Sequence, residues 1–184
     1  MQKAQQNADV SKRLLDFPKP LTGMRLPGVY LSEVIGAYDL VALQFLRHLG
    51  CVFCKNAVDG LYRLASSSER FPPVVFVHQS PVEEAERFFE QRFPGAPHIS
   101  DVRFELYEHF GVKRSGFFET FADPRVLWKL AKLTLKGYKN ELGKGDVRLL
   151  SATFLFYRGR LKWKHLARFP GDDPFWERLA PSKA

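Results

Sequence analysis

The stretch from Leu40 to Ala65 constrains this chain most, because the spacing of its apolar residues changes character partway through. Leu40-Val41-Ala42-Leu43-Gln44-Phe45 is a short, nearly continuous apolar run, the mark of a strand buried on both faces. Gly50 punctuates it. Beyond Gly50, Cys54, Ala57, Val58, Leu61, Leu64 and Ala65 recur at spacings of three and four, as on one face of a helix. Cys51 and Cys54 therefore stand where a strand hands over to a helix.

That place has chemical meaning. The first turn of a helix presents unpaired N–H groups and a partial positive charge, which favour an anion. The thiolate is such an anion, and it is the reactive form of cysteine. Residues three apart share a helix face, so the pair could close a disulfide if its Cα atoms lie about 4.4–6.8 Å apart. Reversible thiol–disulfide chemistry is the leading reading. Two others stay open. Cysteine is also a small apolar residue that packs inertly in cores. A closed zinc site wants about four ligands, and the other candidates, His48, His78, His98, His109 and His165, are scattered. Such a site would have to be assembled entirely by the fold, so no metal is expected, and thiol–disulfide chemistry needs no bound organic cofactor.

The chain has 184 residues and is 45% hydrophobic, enough for one domain with a sizeable core. We expect a flexible arm over 1–20, then a single domain over 21–184 with an insertion at about 112–146. Two cysteines argue against a disulfide-stapled secreted scaffold. The N-terminus has no apolar leader core, and no stretch approaches the roughly 20 apolar residues of a membrane span. A cytoplasmic, reducing location is the default expectation. The net charge of +8 raises the possibility of an anionic partner, but no nucleic-acid motif accompanies it, so nucleic acid is not an expected partner. The oligomeric state is left open.

Along the chain, residues 1–20 read as an arm or one loose helix, and Gly28 to Ile35 as an edge strand or hairpin arm. Val74 to His78 reads as a second buried strand. Ser80, Pro81 and Glu83 then spell a helix start with a capping box, followed by the apolar face Val82, Ala85, Phe88, Phe89 and Phe93. Strand, helix, strand, helix is the unit of a parallel sheet. Pro97 to Asp101 is short and extended, and Asp101 is placed to cap a helix ending before Gly111. A helix is expected from Pro124 to Tyr138. Leu127, Leu130, Ala131 and Tyr138 would lie on one side, and Lys129, Lys132, Lys136 and Lys139 on the other. Gly143 to Asp146 reads as a turn. Ser151 to Tyr157 and Arg160 to Leu166 form a hairpin across Arg158-Gly159, and Asp173-Pro174 opens a last helix.

This order of elements is similar to the thioredoxin fold. Arg47-His48-Leu49-Gly50-Cys51-Val52-Phe53-Cys54, an RxxGCxxC string, resembles the peroxiredoxin-like 2 group of the AhpC/TSA-like superfamily. Ser100 to Tyr107 with Phe110 to Arg114, and Thr153 to Asp172, resemble two further segments of that group. The resemblance implies an α/β thioredoxin-like fold, a mixed sheet of about four or five strands flanked by helices, with the helical insertion before the C-terminal hairpin. It implies a thiol–disulfide oxidoreductase or peroxiredoxin-like antioxidant enzyme. Cys51 would be the more exposed attacking thiolate, Cys54 the resolving thiol, Arg47 a neighbour that stabilises the thiolate, and Thr153 a group facing the substrate. The partners implied are a peroxide or disulfide substrate and a thiol reductant. Where peroxiredoxins carry a signature Pro and Thr this chain has Gln44 and His48, and Val52-Phe53 stands where thioredoxins have Gly-Pro. Ala152 occupies the usual cis-proline place. The rival reading is a non-enzymatic module on the same fold, acting as a redox sensor or through its lysines. A lipid-like endoperoxide substrate is a further possibility raised by the resemblance alone.

Overall fold

The computed structural model describes residues 2–141 and 145–179. The strands are β1 (Gly23–Met24), β2 (Leu40–Phe45), β3 (Val74–His78), β4 (His98–Ser100), β5 (Ala152–Tyr157) and β6 (Arg160–Leu166). They form one sheet in the order β1-β4-β3-β2-β5-β6. β2, β3 and β4 run parallel, while β1, β5 and β6 pair antiparallel. The sheet has six strands rather than four or five, because the two- and three-residue β1 and β4 extend one edge.

The central strands are apolar throughout because both faces of the sheet are covered. One core joins α3 (Val52–Ser67), α4 (Val82–Arg92) and α7 (Pro124–Leu135) to the sheet through Leu46, Val58, Leu61, Phe76 and Phe89. The other lies under α1 (Gln2–Leu15), α2 (Leu31–Gly36) and α5 (Glu105–His109), around Leu31, Phe45, Tyr107 and Phe154. Helix α1 is tied to β6, where Ser11 Oγ accepts the Leu161 N–H at 2.8 Å, and Leu14 is buried.

Four local expectations are corrected. Gly28 to Ile35 is not a strand: Leu31, Val34 and Ile35 are spaced as a helix face and are fully buried in α2. Glu33 reaches back to the N–H groups of Val29 and Tyr30 and fixes the start of that helix. Pro81, not Ser80, is the N-cap of α4, and no side chain caps it. Instead the Ser80 carbonyl accepts the Ser100 hydroxyl, which ties the helix start to β4. In α7 the buried side is Val126, Leu130 and Leu133, while Leu127 and Ala131 face outward. Lys129 is drawn inward by Asp173 at 2.7 Å. The last helix is a single 3-10 turn, Trp176–Leu179. The hairpin stands as read, with Arg158 and Gly159 both at positive φ in its turn. The turn expected over Gly143 to Asp146 lies partly outside the described residues.

Behind the sheet edge lies a buried relay. His78 Nε2 and His98 Nδ1 share a hydrogen bond at 2.9 Å, and His98 Nε2 meets Glu86 Oε2 at 3.1 Å. Burial pushes His78 down to about 3, helped by the neighbouring His98, and pushes His98 down as well. Both histidines therefore stay neutral in the fold at pH values where the unfolded chain takes up protons. Stability from this pair is present above pH 6.5 and is lost as pH falls from there toward about 3. We expect wild type to lose on the order of 2 kcal/mol between pH 6.5 and 4.5 beyond the loss in a His78→Phe variant. Urea melts at the two pH values measure this, and parallel losses in both proteins would refute it.

Candidate active site

β2 ends at Phe45, five residues before Gly50, and residues 46–51 loop across the top of the sheet before α3 begins. Cys51 is the N-cap of α3 and Cys54 lies in its first turn, as the spacing predicts. Both are free thiols. They are equally buried, at 2% and 3% exposure, so the expected greater exposure of Cys51 is not found. Residues 139–141 lie against this end of α3. Asn140 Oδ1 accepts the Val52 N–H at 3.0 Å and so caps α3 from 88 residues away. The Glu141 N–H donates to the Gly50 carbonyl, and Lys55 donates to the Lys139 carbonyl and to Glu141 Oε1. Gly50 permits this approach, since a Cβ there would sit 2.4 Å from the Glu141 oxygen.

Arg47 organises the thiols. Its side chain is buried, with Nε donating to the Leu149 carbonyl at 2.8 Å and Nη2 to the Val147 carbonyl. The remaining arm, Nη1, points at Cys51 Sγ at 3.1 Å. The Arg47 backbone N–H donates to Cys54 Sγ at 3.2 Å. Gln79 steadies this loop, its amide donating to the Arg47 carbonyl and its oxygen accepting the Asp146 N–H at 2.6 Å.

Burial pushes the Cys51 thiol up, but the hydrogen bond from Cys54, the Arg47 charge and the N–H groups of Cys54 and Phe53 outweigh it and bring it to about 6. Cys54 is pushed well above the usual thiol range, first by burial and then by its bond to Cys51 and the charge there. The geometry thus separates one thiolate from one thiol. His48 beside them is driven down to about 4 by burial and by Arg47, so it is a neutral imidazole at pH 7.

A cavity of about 150 Å³ adjoins Cys51. Arg47, His48 and Asn140 give it a polar side, and Phe121, Leu127 and Leu130 of α6 (Phe117–Phe121) and α7 wall the other. Of the residues singled out from sequence, the structure brings Arg47, Cys51 and Cys54 together. Thr153 does not join them as a cavity-lining group. It pairs with Gln44 across β2 and β5, and its hydroxyl donates to Gln44 Oε1 at 2.6 Å. Asn140, Gln79 and the Val147 and Leu149 carbonyls escaped sequence reading, and only the end-of-strand position of Gln79 hinted at its role. Among the described residues, no three His, Cys, Asp or Glu side chains gather as a metal site, and no helix is long and apolar enough to cross a membrane.

A mixed sheet whose central parallel strand leads into a helix starting at Cys-x-x-Cys, with an antiparallel hairpin beside it, is the thioredoxin-like fold. Solved structures agree. The chain is similar to the peroxidoxin BcpB of Mycobacterium tuberculosis, with 20% identity over 77% of this chain and 76% of that one and a TM-score of 0.52. It is similar to the bacterioferritin comigratory protein of Xanthomonas campestris, with 16% identity over 91% and 92% and a TM-score of 0.55. It is also similar to a secreted M. tuberculosis disulfide oxidoreductase homologous to E. coli DsbE, with 12% identity over 91% and 93% and a TM-score of 0.51. By sequence the chain matches no family model and no curated protein.

Proposed function

We propose that this protein is a thiol-dependent oxidoreductase in which Cys51 attacks a small hydroperoxide and Cys54 resolves the product. The observation that carries the reading is the buried Arg47 fork, aimed at a Cys51 thiol held near 6 beside a Cys54 thiol held protonated. The Cys51 thiolate attacks one peroxide oxygen. The S–O bond forms, the O–O bond breaks, and the other oxygen leaves as alkoxide and takes a proton from water. Arg47 stands beside the developing charge. The Cys54 thiol then attacks the Cys51 sulfenic sulfur. An S–S bond forms, and the sulfenic oxygen leaves as water with the Cys54 proton. An external dithiol supplies two electrons and two protons to restore both thiols. At about 150 Å³ the cavity has room for a few water-sized groups, which suits a small peroxide better than a folded protein's disulfide. The alkyl peroxide reduction named for the Xanthomonas neighbour is chemistry of this kind.

The test is stoichiometric. Reduced protein is mixed with tert-butyl hydroperoxide in the absence of other thiols. Wild type is expected to lose both thiols for each peroxide consumed and to lighten by two hydrogens. Cys54→Ser should stop at a sulfenic acid that dimedone traps, and Cys51→Ser should consume none. Equal peroxide loss by wild type and Cys51→Ser, or two thiols that react only after unfolding, would reject the reading.

A further inference from the structure

Helix α7 has two apolar faces, and only one is used by the core. Val126, Leu130 and Leu133 pack inward. Leu127, Ala131 and Leu135 follow one another at spacings of four along the outer surface, with Trp128 beside them. Leu135 is 89% exposed and Trp128 71%. The patch continues onto α6, since Phe121 and Leu127 wall the same cavity and Phe121 packs against Phe117, itself 74% exposed. Exposed leucine, tryptophan and phenylalanine in one place mark a surface that meets an apolar partner.

Cations dominate beside the α7 ridge, while α6 carries one acid, Glu119. Lys132 and Lys136 lie one and two turns beyond Trp128 on the same ridge, and Lys139 follows. Three nearby aspartates are already engaged. Asp123 holds Arg125, Asp173 holds Lys129 and Asp172 holds Arg168. Among the described residues no carboxylate pairs with the ammonium groups of Lys132, Lys136 or Lys139. An apolar ridge with an aromatic anchor, flanked by unpaired lysines, has the composition of a helix that lies in a lipid interface.

We propose that α6 and α7 dock this protein on an anionic bilayer, with Leu135, Trp128 and Phe117 entering the acyl boundary and the lysines meeting headgroup phosphates. A lipid surface fits better than a nucleic acid, which would pair the lysines but offers no apolar phase to the leucines. The inference does not depend on the peroxide chemistry. It does have a geometric consequence for it, since Phe121 and Leu127 belong both to the docking face and to the wall of the Cys51 cavity.

The test is co-sedimentation with phosphatidylcholine vesicles containing about 30% phosphatidylserine, against phosphatidylcholine alone, at low and high salt. Wild type is expected to partition at least about tenfold better onto the anionic vesicles, with a blue shift of fluorescence that Trp128→Phe abolishes. The pair Lys132→Ala and Lys136→Ala should weaken partition by roughly 30-fold. Leu135→Ser should weaken it in both salts. Thiol counts of these variants should match wild type, which separates loss of docking from loss of the redox site. Equal partition on both vesicle types, or partition that survives the lysine replacements, would overturn the proposal. So would concentration-dependent self-association through Leu135 without vesicle binding, which would give this face to a second copy of the chain.

Discussion

Replacing Arg47 by methionine is expected to raise the Cys51 midpoint by about two units or more and to cut the thiolate present at pH 7 by about tenfold or more. In wild type the burial of Cys51 is outweighed by several groups, and Arg47 supplies both a charge and a directed donor. Methionine fills the same space without either, so desolvation dominates and the thiol regains its proton. The variant also leaves the Val147 and Leu149 carbonyls without their donor in a buried place. A cost of about 3–5 kcal/mol follows, the range for breaking a buried charge-assisted cluster from one side. Thiolate absorbance at 240 nm, followed with pH, reads the midpoint without any reagent entering the cavity. Wild type should show a midpoint near 6. Arg47→Lys keeps the charge but not the fork, and should fall between the two. A midpoint unchanged in both variants would mean that the Cys54 thiol and the helix N–H groups hold the thiolate without Arg47.

Asp101→Ala is expected to lower stability by about 3 kcal/mol, or roughly 6–12 °C in Tm for a chain of this size. The Asp101 carboxylate is buried and accepts three backbone N–H groups, from Glu105 at 3.0 Å, Leu106 at 2.8 Å and Tyr107 at 3.0 Å. Alanine leaves those donors unpaired at the start of α5. The effect reaches the site. Tyr107, held by that cap, donates its hydroxyl to the carbonyls of Leu46 and Val77 at the ends of β2 and β3. Leu46 directly precedes Arg47, so a loosened α5 should raise the Cys51 midpoint as well as lower the Tm. Thermal melts and the 240 nm titration on one sample check both. A stability change under 1 kcal/mol would show that water replaces the carboxylate adequately.

These two residues differ in how far the sequence revealed them. The capping role of Asp101 was legible because an acid followed by a helical apolar pattern is a local signal. The closeness of Arg47 to the thiols was expected through the RxxGCxxC string. Its two carbonyl anchors lie 100 and 102 residues away and leave no trace in local spacing. Helix α7 shows the same limit. Its existence followed from Asp123-Pro124 and the apolar period, but Leu127 and Ala131 are as apolar as Val126 and Leu133, so composition could not say which pair faces the core. Helix α2 shows the limit of short segments: β-branched and apolar Val29, Leu31 and Val34 among polar neighbours suggest a strand, while the helical spacing of Leu31, Val34 and Ile35 spans little more than one turn.

The sequence by itself determined the two buried parallel strands, the hairpin and the position of Cys51 and Cys54 at a helix start. Each follows from residue periods and turn chemistry within a few positions along the chain. Only the tertiary structure decided that both thiols are buried, that Asn140 caps α3, and that Thr153 turns to Gln44. It also decided that α7 leaves a second apolar face in solvent. Those outcomes depend on which distant surfaces meet, and burial and hydrogen-bond pairing across such distances are set by the packing of whole elements rather than by any local pattern.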